Sequence, residues 1–152
     1  MGMDQRHIHL EHDGKLLLVD ANGNGPKIPI PGRTDTGESG WIIRLPTESE
    51  VEEMGIKWIK KRINTMDDGT QIHTVIYGTP VIDWPANWAW KDHVISDSGV
   101  HPLARESVYR TMHRLVSKVI IRDNIGHILL GKVLRGHFKG FWTLPGGYLD
   151  YS

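Results

Sequence analysis

Hydrophobic positions along the chain fall into short runs divided by turn residues rather than into long helical stripes. Residues 15–20, Lys-Leu-Leu-Leu-Val-Asp, read as a buried strand stopped by the Ala-Asn-Gly-Asn-Gly-Pro turn cluster at 21–26. Pro29, Pro31 and Gly32 then predict a loop or edge strand, because proline has no N–H to give to a ladder. A short apolar strand is expected at 41–45, closed by Pro46. Thr47 and Glu50 have the spacing of a capping box, and Glu48, Glu50, Glu52 and Glu53 suit the positive end of a helix dipole. A short helix should therefore run to about Met54 and stop at Gly55. Stretches 57–66 and 70–79, rich in Ile, Val, Thr, Trp and Tyr, predict two strands joined by Asp67-Asp68-Gly69 as a tight hairpin turn.

The next stretch, 80–100, is irregular, with Pro80, Pro85, three tryptophans (Trp84, Trp88, Trp90) and Ser96-Asp97-Ser98-Gly99. It predicts a boundary between two parts. The tryptophans suit a stacking platform for bases, but more readily a loop packed over the core by its own aromatics. Pro102 suits a first helical turn, and Ala104, Val108, Met112 and Leu115 make one apolar stripe, predicting a helix to about residue 115. Beyond it the pattern changes to strands at 116–122 and 127–134 about a turn at 123–126. A basic, glycine-rich loop follows, and the apolar segment Phe141-Trp142-Thr143-Leu144-Pro145-Gly146-Gly147-Tyr148-Leu149-Asp150 comes last.

Composition narrows the chemistry. Among 152 residues there is no cysteine, so a thiolate nucleophile, a disulfide scaffold and a cysteine zinc site are excluded, and any metal must use histidine, carboxylate or carbonyl groups. The apolar runs at 16–19 and 119–121 are far short of the roughly 20 residues that span a bilayer, and the start lacks the apolar core of a signal peptide. A cytoplasmic protein with no membrane partner is expected. Zero net charge hides an asymmetry: residues 1–100 hold 10 basic and 15 acidic side chains, and residues 101–152 hold 8 and 3. Opposite surfaces that help the two parts dock, or a phosphate-facing second part, both account for it.

The order strand, turn, strand ending Ile128-Leu129-Leu130-Gly131-Lys132, basic loop, then Trp142 to Asp150, resembles the opening of a Nudix hydrolase domain. In that family a signature of Gly, five residues, Glu, seven residues and Arg-Glu leads into a Glu-Glu helix. Gly147 takes the place of the first glycine, and five further residues end at Ser152, so the catalytic glutamates of the pattern are not among these residues. The resemblance implies a pyrophosphohydrolase that uses Mg2+ or Mn2+ to hydrolyse a nucleoside diphosphate linked to another moiety, inactive as the fragment 1–152. It places the Gly146 main-chain carbonyl in the metal shell, and Lys132, Arg135 and Trp142 against the substrate. No sequence-specific nucleic acid is implied. The rival reading is a non-catalytic nucleotide- or protein-binding module. The fold expected is α+β: a small N-terminal α+β domain at 1–100, then at 101–152 a linking helix and the first strands of a Nudix α/β/α sandwich.

Residues 14–18, then 28–33 with 37–39, and Glu52-Glu53-Met54-Gly55-Ile56, echo the later segment incompletely. Either the first part is a degenerate Nudix-like copy, of the kind that assists homodimer formation, or it is an unrelated small domain. His7, His9 and His12 cluster near the start, and the first two share a strand face. With few ligands beside them, they read as a solvated terminal strand rather than a metal site.

Overall fold

A computed structural model describes residues 6–112, 115–134 and 138–148. Its strands are Arg6–His12 (β1), Lys15–Leu16 (β2), Val19–Asp20 (β3), Ile43–Arg44 (β4), Trp58–Asp67 (β5), Ile72–Pro80 (β6), Ala89–Trp90 (β7), Val116–Lys118 (β8), Gly131–Lys132 (β9), Trp142–Thr143 (β10) and Gly146–Tyr148 (β11). The helices are Glu48–Glu53 (α1), Lys91–Ser96 (α2) and Pro102–Tyr109 (α3). The architecture is mixed α+β. Among the described residues no helix is long and apolar enough to cross a membrane.

A five-stranded sheet of order β5-β6-β1-β2-β7 organises the first part. The 57–79 hairpin forms as its pattern predicts, with β5 and β6 antiparallel and Gly69 at φ 86° in the turn, a conformation that favours glycine. Strand β1 runs parallel to β6 on the far side. Alternation along β6 sends Val75 and Tyr77 into one core and Ile76 into another on the opposite face. Helices α2 and α3 cover the first face through Val94, Leu103, Ala104 and Val108, whereas α1 and Trp88 cover the second, with Val51 meeting Ile8 and Leu10. Each buried Val, Leu or Ile among them contributes about 1.5–3 kcal/mol relative to exposure.

The capping box of α1 is present: Thr47 Oγ1 accepts from the Glu50 amide, and the Glu50 carboxylate accepts from the Thr47 amide. Gly55 follows the helix at φ 68°.

Four expectations are corrected. The strand at 15–20 is two short strands, because the chain changes partners there: β2 pairs with β1, and β3 pairs with β4. Only Ile43 and Arg44 of the 41–45 run are strand. The histidine-rich start is a central strand rather than a solvated terminal one, since Ile8 and Leu10 are wholly buried between β6 and β2. The helix at 102–115 ends at Tyr109, where the Thr111 hydroxyl donates to the Val108 carbonyl and closes the last turn. Met112 still packs on the core, but Leu115 is exposed.

The irregular 80–100 stretch belongs to this packing. Trp88 and Ala89 are buried, and β7 extends the sheet. Trp84 and Trp90 flank the ammonium of Lys15, 5.1 and 4.9 Å from their ring centroids, and Lys15 donates to the Ala86 carbonyl. Their faces are therefore turned to an internal cation rather than offered as a platform.

From residue 115 the character changes. The turn at 123–126 forms as expected, with the Asp123 carboxylate accepting from the Ile125 and His127 amides. Its flanks meet only at an Arg122–Ile128 bridge and a Leu129 N–H to Ile121 carbonyl bond. The regular ladders form instead with the last segment, β8 with β11 and β9 with β10. Every residue from 115 to 132 is exposed.

Candidate functional site

The site residues named by the family resemblance lie in these two small ladders. Lys132 and Trp142 are cross-strand partners, and the ammonium sits 5.9 Å from the indole centroid. Next along, the Leu144-Pro145 turn brings Gly146 and Gly147 opposite Lys118 and Ser117. Gly146 has φ 153°, and a Cβ there would run into the Ser117 carbonyl oxygen, so only glycine lets the turn lie against β8. Gly147 has open space around it. Arg135 lies outside the described residues.

One cation the sequence reading passed over belongs to this group. Lys118 donates to Thr143 Oγ1 at 3.2 Å and to the Leu144 carbonyl at 3.3 Å, and no carboxylate of the described residues pairs with it. Its charge is spent on neutral acceptors alone. An exposed lysine in a strand carries no distinguishing signal in a sequence; only the register with Gly146 exposes its position. Lys118, Thr143 and Gly146 share a cavity of about 300 Å³, and Lys118 and Thr143 also line a larger one of about 640 Å³ against α3.

A magnesium shell takes about six oxygens, usually with one or two carboxylates. The close neighbour that demands glycine at 146 is the β8 backbone, and among the described residues no group of three or more His, Asp or Glu is placed to hold a metal ion. One carbonyl does not make the implied shell.

Two further constellations lie in the first part. His7, His73 and His101 come from β1, β6 and the N-cap of α3 to line a cavity of about 760 Å³, with Trp41, Arg44 and Glu50. Arg44 grips Glu50 through both terminal nitrogens, at 2.8 and 2.7 Å, and His73 Nε2 lies 2.8 Å from Asp68 Oδ2. Burial lowers the His7 pKa, and the neighbouring His73 and Arg44 lower it further. Hydrogen bonds from Thr70 and His73 hold the Asp68 carboxyl well below the usual range.

The second constellation has the connectivity of a nucleophile, base and orienting acid. Ser107 Oγ lies 2.8 Å from His9 Nδ1, and His9 Nε2 lies 3.0 Å from Glu11 Oε2. Burial pushes the His9 pKa down, Nε2 faces the Glu11 carboxylate, and the Ser107 hydroxyl between His9 Nδ1 and the Ala104 carbonyl donates to that carbonyl at 2.8 Å. Burial alone would raise the Glu11 carboxyl, but the hydrogen bonds from His9 and Lys91 hold it at about 2. Ser107 is 0% exposed and His9 1%, which denies a substrate any approach to the oxygen. The trio is a satisfied polar link tying β1 to α3.

No protein-family model matches the chain, and neither a curated protein nor a solved structure does.

Proposed function

We propose that this chain is the front part of a Nudix-type hydrolase that cleaves nucleoside diphosphate derivatives with a divalent cation, the signature carboxylates being supplied by sequence following Ser152. One observation carries the reading: the Pro145-Gly146-Gly147 turn lies on β8 so that a glycine with no room for a side chain sits opposite Lys118, a cation without a carboxylate partner among the described residues. Lys132 beside Trp142 adds a second cation next to an exposed aromatic ring, a pairing suited to phosphate and base. When bound, the metal would neutralise diphosphate charge and lower the pKa of its water. This chain's own residues would bind and orient: lysines on phosphate oxygens, Trp142 on the moiety linked to the diphosphate, Gly146 as a narrow backbone wall.

The test extends the chain through its natural downstream codons and assays dinucleotides, sugar nucleotides and nucleoside triphosphates with Mg2+ or Mn2+. The expected result is metal-dependent release of phosphate-bearing products by the extended chain and none by residues 1–152. An extended chain without glutamates at the signature spacing, or one inert on the whole panel, overturns the reading. The histidine-lined cavity of the first part favours a second reading, a non-catalytic nucleotide- or protein-binding module, which would then stand.

A further inference from the structure

Between α3, the loop at 32–34 and the ladders of the second part lies the cavity of about 640 Å³. Its size falls in the range of small-molecule sites. The charges on its wall are unequal. Arg33 is closed on Asp97 through Nε at 2.8 Å, and the wall's Glu106 takes Arg110 Nε at 3.0 Å, so these acids are already engaged. Arg105 and Lys118 add two more cations to the same wall. Lys118 is the donor whose acceptors are both neutral. Two aromatic rings, Tyr109 at the end of α3 and Phe138 from the second part, complete the lining. The cavity is thus cationic with an aromatic share, and it joins the Gly146 turn through Lys118 and Thr143, which line both cavities.

We infer that this cleft holds the nucleoside diphosphate end of the substrate, with phosphate at Lys118 and the base against Tyr109 and Phe138, so that the first part of the chain forms one wall of the binding site. The substrate class rests on the hydrolase reading; the cleft's affinity for an anion carrying an aromatic ring does not. Cations converging on one side attract phosphate, and their field weakens as salt rises. Aromatic rings hold a base of any identity by stacking. A compound with both parts should therefore bind better than either part alone.

The experiment titrates residues 1–152 with ADP, adenosine and inorganic pyrophosphate without metal, following backbone amide shifts by NMR. ADP should bind at least about tenfold more tightly than either fragment, with the largest shifts at 105–109, 118 and 143, and should weaken as salt rises. Lys118→Met should weaken ADP and pyrophosphate about tenfold and leave adenosine unchanged, because it removes charge and not stacking. Tyr109→Leu should weaken ADP and adenosine and spare pyrophosphate. The lysine is exposed, so its variant keeps the fold. Absence of ADP binding, or binding indifferent to both variants, overturns the inference. The two proposals fail separately. Hydrolysis by the extended chain with an unchanged KM in Lys118→Met would sink the cleft and leave the hydrolase, whereas ADP in the cleft with an inert extended chain would do the reverse.

Discussion

The two parts of the molecule use similar residues to opposite ends. Between Ile8 and Val108, twenty hydrophobic side chains are buried, all but Val19 in two clusters about one sheet. Between 115 and 132 the chain is richer still in Ile, Val and Leu, yet every residue there is exposed. Apolar composition does not make a core. A strand must also have a layer to close over it, which the first part finds in α1, α2 and α3 and the second part does not find among the described residues. Short ladders of two or three residues carry the second part's order, and such pieces are marginal in water by themselves.

The sharpest way to break this comparison is a matched pair of truncations. Leu18 is 0% exposed within the larger core, and Leu18→Ala should cost about 2–5 kcal/mol, read as a lower urea midpoint at unchanged slope. Leu130 is 45% exposed, and Leu130→Ala should move the midpoint by less than about 0.5 kcal/mol. If the second costs as much as the first, the second part is covered in solution, and the contrast disappears.

The same contrast decides how much was legible beforehand. Local chemistry was readable: Thr47 with Glu50, Gly55, and Asp67-Asp68-Gly69 each act within a few residues, and the structure places each as its spacing implies. What failed depends on distant partners. A histidine-rich start reads as solvated because nothing nearby tells that Ser107, 98 residues away, will meet His9, or that β6 will flank β1 in parallel. The run at 15–20 hides a change of sheet that only β4 reveals. At the candidate site the turn glycines, Lys132 and Trp142 were visible as parts of a motif, whereas the Lys132–Trp142 pairing and the place of Lys118 emerge only from register, and the 640 Å³ cavity only from α3 lying beside the second part.

Acid should separate the parts next. The folded pKa of His9 is lowered below its ordinary 6.5, so as pH falls through that value the unfolded chain takes up a proton that the folded one refuses, and stability drops. Glu11 is held at about 2 against an ordinary 4.5. Its contribution is full above 4.5 and is lost as pH falls from there toward 2, a further loss on the order of 2 kcal/mol. Urea midpoints measured from pH 7 to 3 should decline in both steps, and Glu11→Gln should flatten the lower one. In the second part Asp123 is also held down, first by the His127 amide, but the group is fully exposed, so its titration should shift only the amides of its own turn. A midpoint that stays flat to pH 3 would show that the His9 and Glu11 network does not form in solution.

The smallest effect tests whether a local device is felt by the whole molecule. Thr47 Oγ1 accepts from the Glu50 amide at 3.4 Å, a long bond, while the reciprocal arm from the Thr47 amide to Glu50 is 2.8 Å and survives removal of the hydroxyl. Thr47→Ala should therefore cost about 0.5–1 kcal/mol, the lower end for an N-cap. The loss should appear in the global urea midpoint, because Val51 of α1 is buried against Ile8 and Leu10, which couples the helix to the sheet. Asp123→Ala removes comparable local bonds, to the Ile125 and His127 amides, but no buried residue ties that turn to a core. It should speed amide exchange at 125–127 and leave the midpoint where it was. Equal midpoint shifts from the two variants would mean that both parts unfold as one cooperative unit.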